Sequence, residues 1–502
     1  MVQVCVDPTL NDLAAPLLNR LISRRFASRL FAHDFTLWGK AAEREAQVRM
    51  GWVDSPVQAR DVIRDAVSLR ERLHARGITK FVLCGMGGSS LGPEVLASAA
   101  ERPLTVLDST HPAEVERALA GDLRSVGVIV SSKSGSTIET LTQLEAFEAE
   151  FRRQGYQPHE HIIFITDPGS PLSERSAEGY EVVLADPHVG GRFSVFTAFG
   201  LVPAVLIGAD TDTLIEDALR CRTHLRDDSP TNPGLMLASA IAASLPECYA
   251  LLVEERTSHR WGLTAWIEQL VAESTGKQGR GVLPIDTAMD DSNSAQFAPQ
   301  TQMVCVGDAQ DLPGPLTVRG TLGAQMMLWE FATAALGMLL EVDPFDQPDV
   351  ESAKVAAREA MTRSTSTQAE AASHPGVDLA SLLSSVREVL PEDGYVAIQA
   401  FLDRESAQAA VALNLRQTLA TELNVPVSLG WGPRYLHSVG QFHKGGVPKG
   451  VFVQLIDRAL DAQPDGSRSQ EFNNLMKAQA AGDREVLTGR GFAVYELALK
   501  EQ

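Results

Sequence analysis

Apolar positions recur at helical spacing through the first 75 residues. Leu13, Leu17, Leu18 and Leu21 share one face, and Val57, Val62, Ile63 and Val67 follow less regularly. The spacing predicts a helical N-terminal segment, residues 1–75, with Pro16 in an opening turn because a proline deeper in a helix removes a hydrogen bond. From residue 78 the pattern changes to short, unbroken apolar runs, each followed by a helical stretch: residues 80–84, 104–107, 126–130, 161–166 and 182–184. A second series at 249–253, 282–285, 303–306, 395–398, 427–429, 451–455 and 494–497 is interleaved with helices, notably 322–340 and 350–361. Continuous apolar runs alternating with helices predict parallel strands covered on both faces and joined by right-handed crossovers. This gives an α/β chain with a first domain over 76–235 and a second over 236–502. Residues 463–469 and 364–375 read as polar excursions.

Composition narrows the function classes. The 502 residues are too many for one ordinary core. Lys and Arg number 44 against 64 Asp and Glu, a net charge of −20, so the surface repels nucleic acid and anionic lipid. No run of about 18 apolar residues suggests a membrane span, and the first residues lack a secretion-signal pattern. The five cysteines form no CxxC pair, which fits a reducing compartment and a cytoplasmic location.

Four segments carry candidate chemistry. Cys84-Gly-Met-Gly-Gly-Ser-Ser-Leu-Gly-Pro93 follows a predicted strand and opens a predicted helix. Gly85, Gly87 and Gly88 permit a tight turn, and Ser89 stands where free N–H groups favour an anion. The spacing does not match G-x-G-x-x-G, and a turn that binds nothing is an open alternative. Ser131-Ser-Lys-Ser-Gly-Ser-Thr137 also joins strand to helix, with the hydroxyls of Ser131, Ser132, Ser134, Ser136 and Thr137 around Lys133. That density suits a phosphate monoester better than an ordinary helix cap. Gly190-Gly-Arg192 offers a guanidinium beside a close-approach turn. In Gln269-Leu-Val-Ala-Glu-Ser-Thr-Gly-Lys277, Gln269 and Glu273 share a helix face, so Glu273 is a candidate general base or a plain exposed helical glutamate.

In this order the segments resemble the glucose-6-phosphate isomerase family. Its G-x-G-G-S-x-L-G-P, S-K-T-type, G-G-R and Q-x-x-x-E-S-x-G-K signatures are matched between Gly85 and Lys277, and its F-D-Q-x-x-V-E-x-x-K element by residues 345–354. The family histidine is matched by His437 in Leu436-His-Ser-Val-Gly-Gln441, with His443 as the competing candidate. Here the histidine follows the F-D-Q element, whereas commonly it precedes it. That order is similar to the isomerase module of transaldolase–isomerase fusion proteins, so the resemblance implies such a module without the transaldolase part. It also implies two sugar-isomerase (SIS-type, flavodoxin-like) αβα sandwich domains with mostly parallel sheets, after the N-terminal helical segment.

The activity implied is metal-independent interconversion of glucose 6-phosphate and fructose 6-phosphate, in glycolysis and gluconeogenesis. Gly88, Ser89, Ser132, Lys133, Ser134 and Thr137 would hold the phosphate end. His437, with Lys354, would open the ring. Glu273 would move the proton through a cis-enediol, Arg192 would stabilise the enediolate, and Gly191, Gln269 and Gln347 would orient the sugar. No cofactor is called for, and no H-x-H, H-E-x-x-H or Cys cluster offers a metal site. Family members are often homodimers, which makes a homodimer one arrangement for this chain. A phosphomannose or dual-specificity isomerase is an open alternative, as is a sugar-phosphate-binding regulator that lacks the base.

Overall fold

The computed structural model describes residues 2–287, 298–349, 379–458 and 467–499. The first sheet is built from β2 (Lys80–Gly85), β3 (Thr105–Leu107), β4 (Val126–Ser131), β5 (Ile162–Thr166) and β6 (Glu181–Leu184), in the order β3-β2-β4-β5-β6 and all parallel. A second five-stranded sheet contains β7 (Ala250–Arg256), β8 (Leu283–Asp286), β9 (Thr301–Gly307) and β10 (Leu316–Arg319), with β1 (Gln3–Val6) antiparallel on its edge. The third has four parallel strands, β11 (Tyr395–Phe401), β12 (Val427–Trp431), β13 (Gly450–Asp457) and β14 (Ala493–Leu499), in the order β12-β11-β13-β14. Every residue of β4, β5 and β11 is buried, as unbroken apolar strands in a two-sided sheet must be.

Counting the parallel strands of each sheet in chain order gives one pattern three times. The neighbours run second, first, third, fourth, and the first sheet adds a fifth. This is the flavodoxin-like order, in which the chain reverses direction between the first and third strands and leaves a crevice at their carboxyl ends. In the first sheet that crevice lies between β2 and β4. The glycine-rich turn follows the one and the hydroxyl-rich turn follows the other.

The N-terminal segment departs from its helical reading at Gln3–Val6, where four residues pair with Leu316–Arg319. Both are short strands at a sheet edge, and neither stands out in the apolar pattern. Pro16 lies inside helix Pro8–Ser23, not in its opening turn, and Leu13 is exposed while Leu21 is buried. That helix is held by packing against helix Pro233–Ala242, which offsets the bond lost at Pro16. Helix Ser55–Ala75 buries Ala59, Ile63, Ala66, Leu69 and Leu73. The expected helix over 350–361 and the excursion over 364–375 lie outside the described residues. So does most of the excursion over 463–469, whose last residues, Arg468 and Ser469, begin helix Arg468–Gly489.

Helix Leu322–Leu340 is buried from Gly323 to Leu339, and helices Thr211–His224, Pro233–Ala242 and Leu263–Thr275 pack around it. A helix so enclosed is apolar all round. Glu330 is the one charged residue in it: it is 0% exposed, neither carboxylate oxygen has a hydrogen-bond partner, and burial raises its pKa well above the usual value. The folded protein therefore keeps this proton at pH values where the unfolded chain has lost it, so the residue costs progressively more stability as pH rises above the ordinary carboxyl range. Glu330→Gln is expected to raise the urea midpoint over the parent near neutral pH, with the gain shrinking toward about pH 4. A gain that does not depend on pH would contradict this account.

Candidate active site

The site is assembled by glycines that leave no room for side chains. A Cβ on Gly88 would overlap the Gly191 carbonyl, so the turn after β2 lies directly on the Gly190-Gly-Arg192 turn. Gly87 has a positive φ of 56°, and a Cβ there would overlap the His437 carbonyl oxygen and stand 2.8 Å from Gln269 Nε2. A Cβ on Gly85 would stand 3.0 Å from the carbonyl oxygen of Ser131 and 3.1 Å from Ser89 Cβ. Four separate stretches of sequence thus converge on one glycine turn.

Arg192 is 3% exposed and its guanidinium is fully occupied. Nε donates to Ser274 Oγ at 2.8 Å, and one terminal nitrogen donates to the carbonyls of Pro344 at 2.6 Å and Asp346 at 3.0 Å. The other donates to Gln347 Oε1 at 2.9 Å and lies 3.3 Å from Glu273 Oε1. Glu273 is 7% exposed, and its second oxygen accepts from Gln269 Nε2 at 3.1 Å. The same Gln269 nitrogen donates to the His437 carbonyl at 2.8 Å. The carboxylate is therefore buried with a cation and an amide on it, as a buried charge must be. Lys277 grips the same 343–346 turn as Arg192: its ammonium contacts the carbonyl of Asp343 and, at 2.6 Å each, the carbonyl and a carboxylate oxygen of Asp346. Burial, with Arg192 nearby, brings its pKa down to about 8.

His437 and His443 part company here. His437 Nε2 stands 2.8 Å from Glu139 Oε1, which also accepts from Gln479 Nε2 at 2.6 Å. Because a carboxylate only accepts, this pairing assigns the Nε2 proton and leaves Nδ1 to exchange one. His443 is 1% exposed, has no partner on either ring nitrogen and lies among the rings of Tyr395, Tyr435 and Phe452. Burial, with Lys444 beside it, lowers its pKa to about 3, so it is a neutral core residue.

In the hydroxyl-rich turn, Ser132 Oγ and Thr137 Oγ1 stand 3.0 Å apart where helix Ile138–Arg153 begins. Ser134 is exposed and accepts from Ser136 Oγ at 3.0 Å. Lys133 is turned aside, with its ammonium on Asp167 Oδ2 at 2.5 Å and 3.4 Å from the Pro187 carbonyl. Ser89 is buried beside Gly85. Lys354 lies outside the described residues. Among the described residues, no group of three or more His, Cys, Asp or Glu side chains could hold a metal ion.

Sequence reasoning passed over Glu139, Ser274, Lys277 and Gln479. Ser274 and Lys277 stand inside a quoted motif and Glu139 two residues past another, but a first-turn glutamate is ordinarily solvated, and nothing local signals that Glu139 is buried. Gln479 comes from helix Arg468–Gly489 with no signal at all.

A sequence model described as phosphoglucose isomerase covers residues 68–294. That stretch, a little under half of the chain, is similar to the phosphoglucose isomerase family. A glucose-6-phosphate isomerase of Rubrobacter xylanophilus is 26% identical over 374 residues, 59% of this chain and 86% of that protein. One from Thermus thermophilus is 33% identical over 246 residues, 46% of this chain, and the chain spans 56% of its length. Among solved structures, a hypothetical protein of Thermus thermophilus superposes with a TM-score of 0.57 at 24% identity, covering 71% of this chain and 99% of that one. A glucose-6-phosphate isomerase from Chlamydia trachomatis gives 0.56 at 18% identity, covering 73% and 89%. These two share the fold of this chain.

The glycine contact yields a test. Gly88→Ala forces a methyl into the Gly191 carbonyl, and the overpacking is expected to cost about 1–3 kcal/mol in urea unfolding. Gly190→Ala, where a Cβ meets nothing within 4 Å, should be close to neutral.

Proposed function

We propose that this chain interconverts glucose 6-phosphate and fructose 6-phosphate by ring opening followed by a cis-enediol proton transfer. The observation that carries this reading is the buried Glu273 carboxylate 3.3 Å from the Arg192 guanidinium, with the His437–Glu139 pair joined to them through Gln269. His437 Nδ1 is the group proposed to shuttle the proton between the anomeric hydroxyl and the ring oxygen, with Lys354 as its assigned helper. Glu273 then takes the proton from C2 and returns it to C1. Arg192 offers positive charge to the enediolate oxygens from a pre-set position, where such stabilisation is most effective. Gln269, Gln347 and Gly191 line the same convergence, and the N-terminus of helix Ile138–Arg153, with Ser89, Ser132, Ser134 and Thr137, is proposed to take the phosphate. Lys133, already paired with Asp167, is assigned a supporting role in that turn.

The relatives' names and the base, guanidinium and imidazole in one chain support isomerisation over a regulator without a base. A homodimer is one arrangement proposed for the chain. A cytoplasmic location is proposed on the five free cysteines, Cys5, Cys84, Cys221, Cys248 and Cys305. Among the described residues no helix is long and apolar enough to cross a membrane.

The deciding assay follows fructose 6-phosphate turnover with a coupled dehydrogenase, with and without a chelator, beside mannose 6-phosphate. Glu273→Gln should lower kcat by at least ~10²–10⁴-fold while phosphate ligands still raise thermal stability. An active Glu273→Gln enzyme would sink the assignment. Faster turnover of mannose 6-phosphate would move the substrate to its epimer. Thr137→Ala is expected to raise KM more than Lys133→Ala does, because only Thr137 faces Ser132; the reverse ranking would return the phosphate to Lys133.

A further inference from the structure

A seam of buried charge joins the first sheet to the third. Its first-sheet side presents the carboxylates of Glu94 on helix Leu91–Ala99, Asp108 just past β3, and Glu114 on helix Pro112–Ala118. The facing side presents Arg404 just past β11 and Arg434 just past β12. Asp108 is 0% exposed, with one oxygen 3.0 Å from Arg404 and the other 3.0 Å from Arg434. Arg434 also reaches Glu94 at 2.5 Å, and Arg404 reaches Glu114 at 3.0 Å. A further fork of opposite polarity, Arg117 on Asp403 at 2.6 Å through both terminal nitrogens, lies beside them. A carboxylate taken wholly out of water holds only with cations on it, so these contacts are satisfied together in one docking register.

That register sets where His437 arrives. Arg434 and His437 are the two ends of a single 3₁₀ turn, Arg434–His437, the first gripping Asp108 and Glu94 and the second gripping Glu139. All three carboxylates belong to the first sheet's elements, whereas the turn hangs from the third sheet. We propose that Arg434, clamped by Asp108 and Glu94, is a positioning residue that fixes the imidazole of His437 against Glu139. The inference rests on the reading of His437 as the ring-opening group.

Ring opening can be read apart from isomerisation. Equilibration of the α and β anomers of glucose 6-phosphate breaks and remakes the ring C1–O5 bond without moving the C2 proton. Arg434→Met should therefore slow anomerisation and isomerisation together, by roughly 10²-fold in kcat as for a misplaced catalytic group, with KM for fructose 6-phosphate unchanged. Glu273→Gln should slow isomerisation alone. Arg434→Lys should restore part of the rate, since the charge returns without the planar fork. In a His437→Gln background Arg434→Met should cost nothing further, because both changes act through one group. Losses that multiply, or an Arg434→Met enzyme with parental anomerisation, would overturn the proposal.

Should Arg434→Met fail to fold, Glu94→Gln removes one of the two grips at a half-exposed position and should show the same non-additivity at smaller amplitude; full additivity there overturns the proposal equally. An activity-independent readout is the ring signal of His437 in ¹³C-histidine-labelled protein, assigned by its loss in His437→Gln. It should shift in the Arg434 or Glu94 variant, and an unmoved signal counts against the clamp. A parent enzyme with no turnover would instead remove the functional reading, while the ring signal still decides whether Arg434 holds His437.

Discussion

The arrangement depends on one close approach, that of Gly88 to the Gly191 carbonyl. Two backbones can meet at that distance only where neither carries a side chain. Once they do, Arg192 has no route to solvent. A guanidinium in that position must find all its partners inside the protein, and it does: Ser274, the Pro344 and Asp346 carbonyls, Gln347 and Glu273. Each partner comes from an element that would otherwise have no reason to sit there. The burial of one cation thus organises the end of helix Leu263–Thr275 and the 343–347 turn around it. Removing one member of such a pair strands the other, a loss of about 3–5 kcal/mol. The geometry is therefore held by the same contacts that are proposed to supply the chemistry.

Topology explains why the pieces are available at that point. In the first sheet the reversal of strand order lies between β2 and β4, so the turns after these strands open onto a shared crevice. The glycine turn and the hydroxyl turn occupy it, with Gly85 against Ser131. The second sheet contributes its crossover helix, Leu263–Thr275, whose amino end is held by Glu255 Oε2 accepting from Leu263 N at 2.8 Å and whose other end carries Glu273. The third sheet contributes the turn after β12.

Most of this architecture is legible in the sequence, because buried parallel strands write themselves as unbroken apolar runs. Among the described residues, twelve of the fourteen strands coincide with such runs. The two that do not, β1 and β10, are four residues each and pair at an edge, where packing decides and local pattern is weak. The site is legible where chemistry and glycine spacing coincide, as in Gly87-Gly-Ser89, Gly191-Arg192 and Gln269 to Glu273. It is illegible where burial gives an ordinary side chain a partner inside the site. Glu139 looks like a solvated first-turn carboxylate and is instead the partner of His437. Lys133 looks like the cation of an anion site and is instead committed to Asp167. Likewise, sequence alone could not separate His437 from His443, since the difference is a half-buried turn against a cage of aromatic rings.

The order of motifs along the chain is the feature that spacing alone would have read as a fault. In this chain the histidine follows the F-D-Q element and arrives on a sheet of its own. The geometry shows why that order is tolerated. A site made from turns at strand ends requires only that the ends converge; it does not constrain the sequence in which the strands were threaded. What a separate sheet does require is a fixed seam, because His437 can meet Glu139 at 2.8 Å only if the third sheet docks in one register. Apolar packing alone is permissive about register, since it is non-directional. Paired charges with no access to water are not, because each misalignment leaves a carboxylate or guanidinium uncompensated. The seam between Asp108, Arg404 and Arg434 is proposed to supply the directionality that a shared sheet would otherwise have provided.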